Sequence, residues 1–350
     1  MRGKFATFVA NFFYIPMSSI NDEILMALLQ DVAAIKAKVA PDVQPVNFYA
    51  EAVEHIDSLA SQGREKSAEC YRRSLNALTA FLGTSYIPLD SLTYPLLLKL
   101  LEDLRQRVSE NTAKGYLSEI RVLYNVVAGR HDINTNPFRK LNLARHSGRG
   151  LRALTSRQIR KIAQLENLPP AEAMARDLFL LSFCLCGVNM CDLFTMAPPV
   201  DGRIEYDRQK TRRRRKDNAH VSLALHPFAK ILADRWAAPE GSAHWLQFFS
   251  RYASEEYFLR TVNDGLHAVG RRAGLPCVLT SYFARHSWAS IARNECDIDI
   301  YDISQCLAHT PPAAKVDFIY IKEDFFRIDR ANTQVISRVF RPQDALVIAS

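Results

Sequence analysis

The amino-acid sequence predicts a mainly α protein with one small β-sheet, an α+β class, with a helical amino-terminal domain and a mixed carboxy-terminal domain. Apolar residues recur every three or four positions through most of the chain, which is the spacing of amphipathic helices. Alternation of the kind that strands show is confined to residues 203–225. The chain has 350 residues, which is enough for two hydrophobic cores, and a basic stretch at 139–153 separates the two halves.

The composition favours a polyanionic partner. The formal net charge is +8 and the isoelectric point is about 9.1, and the positive charge is concentrated in a few segments. There are seven cysteines, an odd number, most of them within apolar helical runs, and no pair has flanking ligands at zinc-finger spacing. We therefore expect buried thiols in a reducing cytosol and no metal site.

Residues 1–45 are expected to form a helical extension. The apolar run at the start is broken by Asn11 and no clean cleavage site follows, so a secretory signal is not expected. Apolar residues at helical spacing then predict one helix, which Asn21 caps and which ends before Pro41. No stretch approaches the length of a membrane span, which favours a cytoplasmic protein.

Residues 46–138 predict four helices, the first two of which end at glycines. The fourth helix is expected to start at Asn111 or Thr112. On it, Lys114 and Arg121 are seven residues apart and therefore share a face. That face is either a DNA-binding surface or an ordinary solvated one.

The segment 139–153 is predicted to be a flexible basic linker, because it contains glycines and lysine or arginine but has no apolar period. Its candidates for contact with DNA are Arg145, Arg149 and Arg152. Such a segment suits a clamp that closes around a duplex, since its charges neutralise phosphates and release counterions.

The carboxy-terminal half, residues 154–342, is predicted to be mixed. It begins with a capping box at 155–158, and an apolar helix over 171–186 ends at Gly187. Later helices are expected at 227–236, at 254–272 and after residue 320. The last of these packs either on its own domain or on a neighbouring protomer, and residues 343–350 form a tail.

Residues 203–225 predict a β-hairpin with strands at 203–208 and 220–225. The tip between the strands carries a basic run that includes Arg212, Arg213, Arg214 and Arg215. Three interpretations fit this run, namely contact with DNA, a solvated tip and a localisation signal. Contact with DNA is favoured by the chemistry described next.

Three residues near the carboxy terminus have side chains suited to phosphoryl transfer. Arg285, on a helix capped by Thr280 or Ser281, offers a planar fork of donors that matches phosphate oxygens. His309 can donate to a further oxygen. Tyr320 is the sole tyrosine after His309, and a deprotonated phenol can attack phosphorus.

The segments around these residues resemble the tyrosine recombinases, the phage-integrase family, and in particular the integrases of conjugative transposons and related phages. The resemblance implies a SAM-like core-binding domain at 46–138 and a catalytic domain at 154–342 that includes the tail helix. The matching segments are RHSWASIA at 285–292, LAH at 307–309, RQKT at 208–211, NTAKGYLSEIRVLYN at 111–125 and NPF at 136–138.

The resemblance also implies a role for each candidate residue. Tyr320 would be the nucleophile, Arg285 and His309 would hold the non-bridging phosphate oxygens, and Lys210 would protonate the leaving oxygen. Asp192 stands where the family has a supporting acidic residue. His286 follows the arginine as in many members, where it either lines the site or packs against it.

Two positions depart from the family pattern. Asn189 stands where most members have an arginine on the scissile phosphate, and Tyr282 stands where most have a histidine. An amide and a phenol both donate hydrogen bonds, but neither brings positive charge, and a phenol with a pKa of about 10 is a poor base near neutral pH. We therefore expect a slow enzyme or a replacement cation, for which the candidates are Arg149, Arg152 and Arg176.

The implied function is site-specific recombination of double-stranded DNA through a 3′-phosphotyrosyl intermediate, for integration, excision or inversion of a mobile element. The family scheme requires no cofactor and uses a homotetramer, with accessory DNA-bending proteins in some systems, on the DNA of a bacterial nucleoid. Two alternatives remain open. One is a DNA-binding protein that kept the fold and lost catalysis, and the other is relaxation of DNA in the manner of a type IB topoisomerase.

Overall fold

A computed structural model describes residues 30–31, 45–144, 153–215, 217–309, 324–341 and 344 of the chain, with the side chain of Arg214 excepted. Within it the chain divides into two compact units, Met1–Gly148 and Arg149–Ser350. Several predictions lie outside the described residues, namely the helix of the amino-terminal extension except for residues 30–31, the linker arginines Arg145, Arg149 and Arg152, and Tyr320.

The first unit contains four α-helices among its described residues, as the periodicity predicts. Their apolar faces meet in one core around Phe48, Leu78 and Ile120, all of which are fully buried. The last helix begins slightly earlier than expected, because Ser109 Oγ accepts a hydrogen bond from the backbone N–H of Thr112 at 3.3 Å and so caps the helix. The helices are α1 (Phe48–Ser61), α2 (Glu65–Leu82), α3 (Tyr94–Arg107) and α4 (Glu110–Arg130).

The second unit contains nine α-helices and one hairpin within the ranges described. The apolar helix α6 lies at its centre, and α8, α10 and α11 pack around it. The elements are α5 (Ser156–Ala163), α6 (Pro170–Cys184), α7 (Met190–Thr195), β1 (Arg203–Asp207), β2 (His220–Ala224), α8 (Pro227–Asp234), α9 (Phe248–Arg251), α10 (Glu255–Arg272), α11 (Tyr282–Asn294), α12 (Ile300–Cys306) and α13 (Phe325–Val339).

The hairpin confirms the single region of alternation in the sequence. Strands β1 and β2 are antiparallel, and their register pairs Arg203 with Ala224 and Asp207 with His220. Ile204 and its cross-strand partner Leu223 are buried in the core, while Glu205 and Asp207 are exposed. The tip contains a short 3₁₀ turn, Arg212–Arg214.

The tail helix α13 packs on its own unit. The buried Asn332 accepts a hydrogen bond from Trp288 Nε1 at 2.9 Å and donates from Nδ2 to the carbonyl oxygen of Cys184 at 2.7 Å. Arg203 on β1 forms an ion pair with Asp329 at 2.8 Å. Of the two arrangements that the sequence left open, α13 therefore shows docking within the same domain.

Candidate active site

Arg285 is held in place by the turn that follows α6. It lies one turn into α11 and is 6% exposed. Gly187 passes directly beneath it, so closely that a Cβ atom at this glycine would lie 2.3 Å from Arg285 Cα. Gly187 also has a left-handed backbone with φ +71°, which side chains disfavour. This position therefore needs glycine for two independent reasons.

The guanidinium of Arg285 is oriented by backbone carbonyls from two different loops. Its Nη1 donates to the carbonyl oxygen of Gly187 at 3.1 Å, and its Nη2 donates to that of Leu307. Nη2 also lies 3.2 Å from Nε2 of His309. Two turns far apart in sequence, one at Gly187 and one at 307–309, thus converge on this side chain, and they fix the plane in which its remaining N–H groups point.

His309 reaches Arg285 through a tight turn at the end of α12. Ala308 has φ +47°, and the N–H of His309 donates to the carbonyl oxygen of Ser304 at 2.9 Å. Because a guanidinium has no acceptor, Nε2 of His309 accepts this hydrogen bond and the ring proton is on Nδ1. The imidazole lies on the exposed side of the site.

The charges around His309 keep its ring neutral. Partial burial of the ring, followed by the positive charges of Arg285, Arg208 and Lys210, lowers the pKa of His309 to about 4. At neutral pH the ring is therefore a polar, uncharged group beside several cations.

Arg208 is a site residue that the sequence reasoning missed. It follows β1 directly and is 4% exposed. Its Nη1 lies 3.5 Å from the carbonyl oxygen of Ala308, at the limit of a hydrogen bond, and its buried Nε has no hydrogen-bond partner among the described residues. Burial, and then the charge of Arg208, lower the pKa of Arg285 to about 10, so the two guanidinium groups are close enough to repel each other.

Asp192 joins the hairpin to α7. Its buried carboxylate accepts a hydrogen bond from the backbone N–H of Gln209 at 3.0 Å. The side chain of Gln209 donates in turn to the carbonyl oxygen of Cys191 at 2.8 Å. Burial raises the pKa of Asp192. These bonds hold the backbone between Arg208 and Lys210, so Asp192 positions the two cations of the hairpin.

Asn189 is directed toward Asp192. It precedes α7, and its Nδ2 lies 3.5 Å from Asp192 Oδ2, at the limit of a hydrogen bond. Arg176, a candidate for the missing cation, lies elsewhere. Its Nε donates to Asp177 at 2.9 Å and its Nη1 donates to the carbonyl oxygen of Leu165 at 2.6 Å, so it belongs to a buried polar network under the core. The expectation that Arg176 replaces the missing arginine is wrong for this reason.

Tyr282 and His286 form an exposed pair on α11, one turn apart. Their rings are in edge-to-face contact with centroids 4.7 Å apart. Tyr282 lies three residues before Arg285 on α11, a spacing that places the two side chains on one face of the helix. Lys210 is exposed and contributes to the field at His309. Tyr282 and Lys210 thus border the site, at its solvent side.

The predicted DNA-binding residues have different surroundings. Lys114 is 3% exposed, and its ammonium donates to the carbonyl oxygen of Ala144 at 3.0 Å and pairs with Glu110 at 3.3 Å, whereas Arg121 is exposed. The two residues therefore do not form one exposed face. At the hairpin tip, Arg212 and Arg213 are exposed.

Arg215 is bound to a neighbouring carboxylate at the same tip. Its Nε donates to Asp217 at 2.8 Å, and this contact lowers the pKa of Asp217 to about 2. The charge of Arg215 is therefore partly neutralised already. Within the described part of the chain no group of three or more His, Cys, Asp or Glu residues could hold a metal ion. No helix there is long and apolar enough to cross a membrane.

Comparison with known proteins finds a matching domain family and solved structures of similar fold. Residues 47–143 match the phage integrase SAM-like domain. A search of curated proteins finds no match to the chain. Among solved structures, the lambda integrase tetramer bound to a Holliday junction is 19% identical with a TM-score of 0.61, and the match covers 87% of this chain and 86% of that chain.

Two further structures show the same fold. The Tn1549 transposon integrase in complex with transposon right end DNA is 12% identical with a TM-score of 0.55, covering 83% of this chain and 100% of that chain. The XerH site-specific recombinase bound to difH substrate is 13% identical with a TM-score of 0.53, covering 74% of this chain and 79% of that chain. The chain therefore combines a phage integrase SAM-like domain with the fold of the tyrosine recombinases of the integrase family.

Proposed function

We propose that this protein is a site-specific DNA recombinase that cuts and rejoins DNA strands through a covalent 3′-phosphotyrosyl link. The observation that supports this most strongly is the cluster of Arg285, His309 and Arg208 at one turn. It gathers two guanidinium groups and an imidazole in a fold shared with recombinases that were solved on DNA. Positioned charge of this kind stabilises the transition state of phosphoryl transfer.

The proposed reaction begins with Tyr320. Its phenol loses a proton to solvent, and the phenolate oxygen forms a bond to phosphorus while the bond from phosphorus to the 5′ oxygen breaks. That oxygen leaves with the bonding electron pair and takes a proton from Lys210, which gives a free 5′-hydroxyl. Arg285 and His309 hold the non-bridging oxygens, and Tyr282 donates to one of them from the rim.

The second step reverses the first with a different strand. The 5′-hydroxyl of a partner strand attacks phosphorus, gives its proton to Lys210, and releases Tyr320. One phosphodiester is formed for each one broken, so the reaction needs no nucleotide cofactor. For His309 to donate to a phosphate oxygen through Nε2, the ring must exchange the proton that it now carries on Nδ1.

The wider assembly is part of the same proposal. Residues 46–138 and 154–342 would both bind the duplex, and the charges of the basic segment 139–153 would neutralise its phosphates. The lambda integrase neighbour is a tetramer on a Holliday junction, and we propose that this chain likewise acts as a homotetramer on two duplexes. Integration, excision or inversion of a mobile element would then use the same chemistry.

A nicked duplex tests the proposal. Full-length protein first selects its preferred sequence from a pool of random duplexes, and that sequence is then built with a nick just beyond the cleaved phosphate, so that the released fragment diffuses away. We expect a covalent protein–DNA complex that survives denaturation. Selective binding without any covalent complex would support the alternative of a DNA-binding protein, which the neutral Asn189 favours. Relaxation of supercoiled plasmid without strand exchange would support a topoisomerase-like activity.

A further inference from the structure

Arg208 combines deep burial with unused donors. It is 4% exposed, yet its Nε has no hydrogen-bond partner among the described residues, and its single acceptor there, the carbonyl oxygen of Ala308, is 3.5 Å from Nη1. A buried cation with an unsatisfied donor is costly to the fold. Such a group is retained where a ligand completes its hydrogen bonds.

Arg208 follows β1 and Arg285 lies on α11, and the side chains of both reach the same short turn at 307–309. Nη2 of Arg285 donates to the carbonyl oxygen of Leu307, and Nη1 of Arg208 lies next to that of Ala308, the following residue. The two guanidinium groups are therefore directed at neighbouring atoms, just before His309. Their mutual repulsion is relieved when an anion lies between them.

The backbone that carries Arg208 is fixed to the turn where the usual arginine is absent. Asp192, three residues after Asn189, accepts the N–H of Gln209, the residue that follows Arg208. The amide of Asn189 lies against the same carboxylate. The hydrogen bond between Asp192 and Gln209 thus holds Arg208 near the turn where Asn189 stands in place of the usual arginine.

We propose that Arg208 is a catalytic residue, which binds a non-bridging oxygen of the scissile DNA phosphate together with Arg285 and supplies the positive charge that Asn189 lacks. The inference rests on the proposed recombinase function and names one more residue in that site. It also explains how the site can contain two guanidinium groups although position 189 is an asparagine and not the usual arginine. The two arginines then form one anion site with two forks, and His309 lies at its edge.

Two variants on the nicked duplex test this proposal. Arg208→Gln should reduce the rate of covalent complex formation by about a hundredfold, the effect of losing one donor to a transition-state oxyanion. Arg251→Gln is the matched control, because it removes one exposed arginine from the same unit, at the end of α9, and it should keep the rate within about threefold. Circular-dichroism melting checks that each variant is folded.

A neutral phosphate separates catalysis from structure. A methylphosphonate at the scissile position replaces one charged oxygen with a methyl group, so it removes the charge that Arg208 neutralises. On this substrate, the ratio between the cleavage rates of the unaltered protein and of Arg208→Gln should be at least tenfold smaller. An equal defect on both substrates, or cleavage by Arg208→Gln within threefold of the unaltered protein, would overturn the proposal.

Binding of a phosphate analogue, which needs no DNA cleavage, tests the anion site at Arg208 separately from the proposed recombinase activity. Orthovanadate should raise the melting temperature of the unaltered protein and of Arg251→Gln, and should not raise that of Arg208→Gln. If the unaltered protein never cleaves but shows this pattern, the recombinase proposal fails and the anion site at Arg208 stands. If orthovanadate stabilises Arg208→Gln as well as the unaltered protein, Arg208 is not part of the anion site.

Discussion

Nη2 of Arg285 lies 3.2 Å from Nε2 of His309, and this contact determines which nitrogen of the neutral imidazole carries the proton. A guanidinium has hydrogen-bond donors but no acceptor, so Nε2 of His309, which faces it, accepts the hydrogen bond. The neutral ring therefore carries its proton on Nδ1, the nitrogen farther from Arg285. The arrangement places the positive charge on the arginines and leaves His309 as a polar, uncharged group beside them.

The first prediction concerns the titration of His309. Its pKa is about 4 in the folded protein, below the ordinary value of 6.5, because of partial burial and the nearby cations. Between these two pH values the unfolded chain binds a proton that the folded protein does not. Stability from the neutral ring is thus fully present above pH 6.5 and is lost as the pH falls toward 4.

Imidazole NMR measures this titration directly. We expect the His309 resonances to titrate far below 6.5 and to show the proton on Nδ1. His309→Gln, which keeps a polar side chain without a titrating group, should lose less stability between pH 6.5 and 4 than the unaltered protein. A His309 that titrates at 6.5 or above would contradict the contact with Arg285.

The second prediction concerns Gly187. Gly187→Ala places a methyl group 2.3 Å from Arg285 Cα and forces alanine into φ +71°. We expect a loss of more than about 1 kcal/mol in unfolding free energy, because steric overlap adds to backbone strain. Gly241→Ala is the control, since Gly241 has φ +81° but nothing within 4 Å of an added Cβ.

Urea denaturation of both variants separates the two causes. Gly241→Ala carries the conformational cost alone, and Gly187→Ala should lose clearly more stability and also slow DNA cleavage by displacing Arg285. Equal losses of unfolding free energy in the two variants would mean that a methyl group at position 187 meets no steric overlap with α11.

The third prediction concerns the docking of α13. Asn332→Ala removes the partners of Trp288 Nε1 and of the Cys184 carbonyl oxygen, both in the core. Leaving two buried polar groups unsatisfied should cost about 2–4 kcal/mol. Gln334→Ala removes an exposed amide from the same helix, which donates to the carbonyl oxygen of Cys296 at 3.0 Å, and it should cost less than about 1 kcal/mol. Thermal melting of the two variants compares them, and similar melting temperatures would exclude this anchoring role for Asn332.

The fourth prediction concerns the hairpin tip. If Arg212 contacts a DNA phosphate, Arg212→Gln should reduce the slope of log affinity against log salt concentration by about 0.9. Arg215→Gln should change the slope less, because Asp217 already neutralises part of that charge. Fluorescence anisotropy at several salt concentrations measures both slopes. A larger change for Arg215→Gln than for Arg212→Gln would show that the Asp217 pair opens on DNA.

Local patterns in the sequence predict most of the helices and the hairpin. The alternation at 203–225 and the capping box at Thr155 depend on residues that are near in sequence, and both are present in the structure. Lys114 shows the limit of that reasoning. Its helical face was predictable, but its burial depends on the chain returning at Ala144, thirty positions later, to accept its hydrogen bond.

The candidate site shows the same limit. The helix that carries Arg285 and the turn that ends in His309 follow from local spacing, and the resemblance to a family pairs them. The role of Arg208 does not follow from spacing, because it depends on Asp192 holding the hairpin next to α7. Arg176 was a plausible replacement cation by its distance along the chain, but Asp177 and the Leu165 carbonyl oxygen hold it in the core.

The most direct test of the recombinase proposal is the identity of the residue that becomes bound to DNA. The covalent complex formed on the nicked duplex is digested with protease and nuclease, and mass spectrometry locates the remaining nucleotide. The proposal predicts a 3′-phosphate linked to Tyr320, and it predicts that Tyr320→Phe binds the same duplex with unchanged affinity and forms no adduct. An adduct on any other residue, or one that persists in Tyr320→Phe, would contradict it.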